Sequence, residues 1–393
     1  MNLNWTYSQT AHEMKSSAIR EILKITERPD VISFAGGLPA PELFPVNELK
    51  QACINVLEKQ GPSSLQYSVS MGYRKLREFL ALYLSKDGRE ATLDNFLITA
   101  GSQQGLDMVG KAFLDHSSTI IVSSPTYLGA IQAFNAYRPK YITVEMDEEG
   151  MITEQVEEKI KRYKPRFVYV VSNFLNPSGI TLSLKRRKHL VELAKEYYIP
   201  IVDDNPYGQL RFTGENLPSL QSLGRELVIE LGTFSKLVSP GLRIGWIIAS
   251  TQVLPIFERI KQGADLHTNT FAQYVVYEYA KNGALEAHIE KLKVAYLQRR
   301  NIMIEAMEKE FPPGITWTKP EGGLFLWVKL PEGVSATKLL EKAVADKVAY
   351  IPGEHFFVDQ GGKNTLRLNF SNASPEMIRE GIKRLGKVFK ENI

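Results

Sequence analysis

The 393 residues carry 48 Lys+Arg against 44 Asp+Glu, a formal charge of +4, with 44% hydrophobic and 23% charged residues. This is a globular make-up too long for one small core, and its few surplus cations are scattered, which argues against a nucleic-acid footprint. The single cysteine, Cys53, excludes an intramolecular disulfide framework and a CxxC metal site, and no apolar run is long enough to span a membrane.

In chain order, the N-terminus (Met1 to Trp5) lacks the charged and apolar regions of a signal peptide, so a cytoplasmic chain is expected. A helix around Ser17 to Leu23 precedes an irregular segment ending in Gly36-Gly37-Leu38-Pro39-Ala40-Pro41. Asn95 to Thr99 reads as a strand, and Gly101-Ser102-Gln103-Gln104 opens a helix with apolar spacing through Phe113. Thr119 to Val122 is the next strand, followed by a helix from Tyr127 to about Tyr137. Arg166 to Val171 and Pro200 to Asp203 are short apolar runs, with a helix from Leu184 to Tyr197 between them. Leu227 to Leu231 is another strand, and Arg243 to Ala249 a further one that need not run parallel to the rest. Short apolar strands with helical crossovers imply a mostly parallel, mixed sheet covered by helices on both faces.

Two long helical patterns follow, from Phe271 and from Leu285 to about Lys309, the second bridging towards another unit. Gly322 to Val328, a helix near Ala336 to Ala345, the strand Leu366 to Phe370 and a terminal helix make a smaller α+β domain, on which the N-terminal segment should pack. The expected class is therefore α/β: residues 1–45 joining the small domain, a large domain over 46–289 and a small C-terminal domain over 290–393.

The chemistry-bearing residues fall at the ends of these strands. Lys236, in Thr233-Phe234-Ser235-Lys236 with Arg243 seven residues on, follows a strand into a small polar loop. A lysine that forms a Schiff base must be a free amine, and burial beside cations lowers its pKa from about 10.4. Ser102 and Gln103 sit where a strand gives way to a helix, and the free N–H groups there suit a phosphate, although Ser102 could equally be a helix cap. Asp204 lies at the carboxyl end of a strand, where ligands of open α/β sheets bind, and could hold a heteroaromatic nitrogen protonated; a turn aspartate is the plainer alternative. Asp203 should point to the opposite side. Asn176, in Asn176-Pro177-Ser178-Gly179, could donate to a phenolic oxygen, and Tyr127 could stack on a flat ring, while a turn and ordinary packing would also explain them. Together they supply what a phosphorylated pyridine aldehyde requires.

Gly36-Gly37-Leu38-Pro39, Asn176-Pro177-Ser178-Gly179, Asp204-x-x-Tyr207 and Ser235-Lys236 make the sequence resemble fold-type I pyridoxal-phosphate aminotransferases of class I/II along essentially its whole length. Ser33 to Pro39 and Lys261 to Thr268 resemble the 2-aminoadipate/kynurenine branch. The resemblance implies pyridoxal 5'-phosphate as cofactor, no metal, and Lys236 as Schiff-base and proton-transfer residue. It implies that Asp204 pairs with the pyridine nitrogen, that Asn176 and Tyr207 bind the phenolic oxygen, and that Tyr127 stacks on the ring. Ser102, Gln103, Thr233 and Arg243 would hold the phosphate, with Thr233 standing where the family more often has serine, and Ser235 would also bind the cofactor. Tyr67 would reach the neighbouring subunit's phosphate, implying a homodimer with shared active sites. Arg367 would take the substrate α-carboxylate, helped by Asn176 and the Gly37 backbone. Arg20 matches an arginine that can meet a substrate's distal carboxylate, with an exposed helix arginine as the alternative, and His267 reads as structural.

The expected activity is transfer of an amino group from an L-amino acid to a 2-oxoacid. The same residues would also serve a pyridoxal-phosphate lyase. An effector module of a transcription regulator is the reading from a different class; such regulators place a winged-helix reader first, and the resemblance begins almost at Met1.

Overall fold

The computed structural model describes residues 5–14 and 30–393. Its centre is an eight-stranded sheet in the order Phe96–Thr99, Gly245–Ile248, Val228–Thr233, Ile201–Asp204, Val168–Val170, Thr119–Ser124, Lys140–Asp147 and Gly150–Met151. Pairing is parallel from Val228–Thr233 through Lys140–Asp147. Gly245–Ile248 runs antiparallel to both neighbours, as its separate place in the chain allowed. Lys140–Asp147 has no counterpart among the strands expected from the sequence: at the side of the sheet it mixes exposed and half-buried positions, so it lacks the continuous apolar run of its neighbours.

Strand alternation sorts the two faces. Leu97, Tyr169, Val202, Ile229, Leu231 and Ile247 pack under Leu106, Val109, Phe134 and Phe257. Ile121, Val168, Val170, Ile201 and Val228 pack on the other face under Val156, Ile160, Leu190 and Ala194. Both faces are thus covered, as buried parallel strands require. The helix Leu184–Tyr197 matches its expected span, because Ser183 accepts from the Arg186 N–H at one end and Tyr198 turns left-handed at the other.

Thr316–Trp317, Phe325–Lys329, Thr365–Asn369 and Ile351–Pro352 form a separate antiparallel sheet. Ile32–Ser33 pairs with Val348–Ala349, and the Asn369 N–H donates to the Phe34 carbonyl. The 27-residue helix Ala284–Glu310 packs against the terminal helix Pro375–Asn392. One continuous apolar cluster runs from Leu76, Phe96 and Trp246 of the large sheet's flank to Leu326, Leu368 and Phe389.

Candidate active site

The strands Val228–Thr233 and Ile201–Asp204 end beside a cavity of about 570 Å³. Its walls bring together Gly37, Ser102, Gln103, Tyr127, Asn176, Asp204, Thr233, Ser235, Lys236, Arg243 and Arg367. Residues scattered over most of the chain therefore meet where the strands' carboxyl edges open, as α/β sheets generally arrange it.

Lys236 Nζ donates to the Gly37 carbonyl at 2.7 Å. Burial, with the Arg367 and Arg243 cations adding to it, pulls its pKa from 10.5 to about 8. Asp204 is 1% exposed and accepts from the Tyr169 hydroxyl through Oδ2 at 3.1 Å. Its Oδ1 is buried without a partner. Burial raises this carboxyl to about 7, against the lowering effect of Tyr169, with Asp203 adding to the rise. Asp203 does point the other way, bonding the Ser172 N–H at 3.1 Å and hydroxyl at 2.8 Å.

A buried carboxylate oxygen with no donor is costly, and a protonated ring nitrogen would satisfy it. Another part of the wall suits a phosphate. Gly101, not Ser102, takes the N-cap position of the helix Ser102–Phe113, and no side chain caps it. Gly101 has φ +76°, and a Cβ there would lie 2.5 Å from Arg243 Nη2. Arg243 reaches the cup by donating to the Ala100 carbonyl at 3.1 Å and to Ser235 Oγ at 3.5 Å. The Thr233 hydroxyl donates to Ser235 Oγ at 2.9 Å. Gln103 is held on the Gly129 carbonyl at 2.9 Å. A Cβ on Gly129 would come within 2.4 Å of the Tyr127 ring, so glycine lets that ring fold over its own helix. Acid for a ring nitrogen, amine, flat aromatic and phosphate cup fit pyridoxal 5'-phosphate.

Arg367 is 1% exposed, donating through Nη1 to Asn176 Oδ1 at 2.7 Å and through Nη2 to the Ala35 carbonyl at 2.5 Å. Its backbone support is therefore Ala35, whereas Gly37 serves Lys236. Phe325 and Phe356 lie 4.4 and 5.2 Å from its carbon centre, and its Nε is buried without a partner. Burial lowers this guanidinium to about 10, with Tyr207 and Tyr127 opposing. Tyr207 is buried edge-on to Phe325 and is not among the residues lining the cavity.

Of the other expected residues, Tyr67 does not line this cavity. Tyr67 is 79% exposed and lines a surface groove with His267, whose ring it meets edge-on at 5.8 Å. Arg20 is outside the described residues. Sequence reasoning missed Leu128, Gln132 and Pro206 in the wall, and Tyr169 behind Asp204. Only Tyr169 left a signal: a phenol inside an apolar strand needs a partner for its hydroxyl.

The sequence profile of the family "Aminotransferase class I and II" matches residues 29–385. The aromatic-amino-acid aminotransferase 1 of Thermococcus litoralis is 46% identical over 395 residues, spanning 98% of this chain and 94% of the relative. The fold superposes on Pyrococcus horikoshii kynurenine aminotransferase in complex with PMP, with TM-score 0.95, 44% identity and coverage of 98% and 97%. It also superposes on the α-aminoadipate aminotransferase LysN of Thermus thermophilus, complexed with N-(5'-phosphopyridoxyl)-L-leucine, with TM-score 0.92, 41% identity and coverage of 98% and 97%. Sequence, fold and cavity agree that the chain belongs to the class I and II aminotransferases, as a pyridoxal-phosphate-dependent transferase of amino groups.

Proposed function

We propose that Lys236, Asp204 and Arg367 are the working residues of this aminotransferase, which takes an amino group from an L-amino acid and passes it to 2-oxoglutarate or a similar 2-oxoacid in a ping-pong cycle. The observation that carries the reading is the convergence of an amine, a carboxylate with one unpartnered oxygen and a buried guanidinium on one cavity. Pyridoxal phosphate, when bound, supplies an electron sink for the pair left on the substrate α-carbon as its proton departs. Lys236 is the group that removes and returns that proton at Nζ. Its lowered pKa keeps an appreciable fraction unprotonated near neutral pH.

Arg367 binds the α-carboxylate. The two phenylalanines restrict its plane, so the edge left over by Asn176 and Ala35 is the edge a carboxylate can fork onto. Ser102, Gln103, Thr233, Ser235 and Arg243 hold the phosphate, Asn176 and Tyr207 the phenolic oxygen, and Tyr127 the ring face.

2-Aminoadipate, glutamate, leucine-like and aromatic amino acids are the proposed donors, spanning the substrates named for the relatives. Arg20 is assigned to a distal carboxylate, and Tyr67 to the phosphate of a second subunit in a cytoplasmic homodimer. The exposed Leu65, Tyr67, Val69 and Leu266 support that dimer, and no helix among the described residues is long and apolar enough to cross a membrane. Residues 1–45 are grouped with a small domain at 290–393, around a cofactor-binding domain at 46–289.

A donor screen with 2-oxoglutarate tests this. Glutamate formation from at least one donor other than glutamate itself is expected, with borohydride fixing the cofactor on Lys236. Arg20→Ala should slow 2-aminoadipate selectively. Ammonia and pyruvate released without an oxoacid acceptor would point to a lyase, and borohydride labelling of another lysine would overturn the assignment.

A further inference from the structure

We propose that Tyr169 is a positioning residue for the reaction: its hydroxyl holds one oxygen of Asp204 so that the other is ionised and aimed at the cofactor ring. The inference rests on the assignment of Asp204 to the ring nitrogen.

The placement follows from register. Tyr169 pairs with Val202 across parallel strands, and Asp204, two residues on, shares the Val202 face. A tyrosine is long enough to reach that diagonal neighbour, and its hydroxyl lies 3.1 Å from Asp204 Oδ2. The ring itself is 0% exposed and packs edge-on to Phe134 at 5.6 Å, which leaves it little freedom to swing away.

What the contact does is set by the carboxylate's surroundings. Among the described residues, no other group donates a hydrogen bond to the Asp204 carboxylate, and its Oδ1 has no partner. The backbone neighbour, Asp203, works against a second charge nearby. Tyr169 is thus the one hydrogen bond that favours the ionised carboxylate before a cofactor arrives, and its own pKa lies well above the ordinary value, so it remains a donor. It also removes a choice: with Oδ2 engaged, Oδ1 is the oxygen left to meet the ring.

The test is Tyr169→Phe, which keeps the ring and deletes the donor. Pyridoxal phosphate is titrated into resolved enzyme across pH, followed by protein fluorescence, with the variant's turnover measured alongside. A hydrogen bond to a charged group implies about tenfold weaker cofactor binding near neutral pH. The acid limb of affinity should move up by about one pH unit, because Asp204 then ionises later. Phe134→Leu disturbs the same ring without touching Asp204. It should lower the melting temperature and leave the acid limb in place. If Tyr169→Phe binds like wild type with an unmoved limb, or if Phe134→Leu moves the limb equally, Tyr169 has no such role. Asp204→Asn separates the two claims. Weak binding there with a silent Tyr169→Phe sinks only this inference, whereas undisturbed binding and turnover in Asp204→Asn sinks the site assignment beneath it.

Discussion

Asp204 shows how much one carboxylate can depend on what surrounds it. Burial raises its pKa from 3.8 to about 7, so the folded chain retains a proton that the unfolded chain gives up. That contribution to stability is fully present below the unfolded value and is lost as pH rises towards about 7. Asp204→Asn removes this dependence. Thermal melts of the resolved variant should therefore fall less steeply between acid and neutral pH than wild type, while kcat falls on the order of 10²–10³-fold. A wild-type slope in the variant would assign the dependence elsewhere, Asp203 being the next candidate because burial and Glu230 raise it to about 6. Lys236 and Asp204 were legible in the sequence because each follows an apolar strand into polar residues. Tyr169 was obscured because its hydroxyl acts across a strand pair that no local pattern reveals. The Gly37 carbonyl beneath Lys236 was equally hidden, lying 199 positions away.

At the scale of elements, the turn from Phe96–Thr99 into Ser102–Phe113 depends on Gly101 for both conformation and space. Gly101→Ala would place a non-glycine residue at positive φ and drive a methyl into Arg243. A loss of about 1–3 kcal/mol in urea unfolding is expected, with weaker capture of pyridoxal phosphate as Arg243 leaves the cup. Wild-type affinity in that variant would show that Arg243 is not needed there. Elements with a regular burial pattern were the legible ones: the central parallel strands, buried almost throughout, and the helices Leu184–Tyr197 and Ala336–Ala345, with one buried face, appear close to their sequence bounds. Lys140–Asp147 escaped because one side of the strand faces weaker cover. Val46–Leu65 also escaped, since Gly61 and Pro62 interrupt its pattern and the helix kinks at Gln60.

Across the whole molecule, the dimer proposal makes Tyr67 useful only to another chain. Sedimentation should give twice the 44.4 kDa chain mass. Mixed Lys236→Ala and Tyr67→Ala chains should show more activity than the sum of the two separately, since one of the two sites in each hybrid is intact. Additive activities would place Tyr67 outside the partner's site. Within one chain, the large sheet is pinned by Arg89, which reaches Glu230 with three hydrogen bonds of 2.9–3.1 Å deep in the structure. The small sheet is tied instead through residues 34–38. Phe34 accepts from Asn369, Ala35 from Arg367, Gly37 from Lys236 and Leu38 from Ser371. Four of these five residues are thereby stitched, three to positions 367–371 near the C-terminus and one to the Lys236 amine. A displacement of that C-terminal stretch would therefore bear on the carbonyl to which Lys236 donates, tying the place of the lysine to that of the smaller sheet.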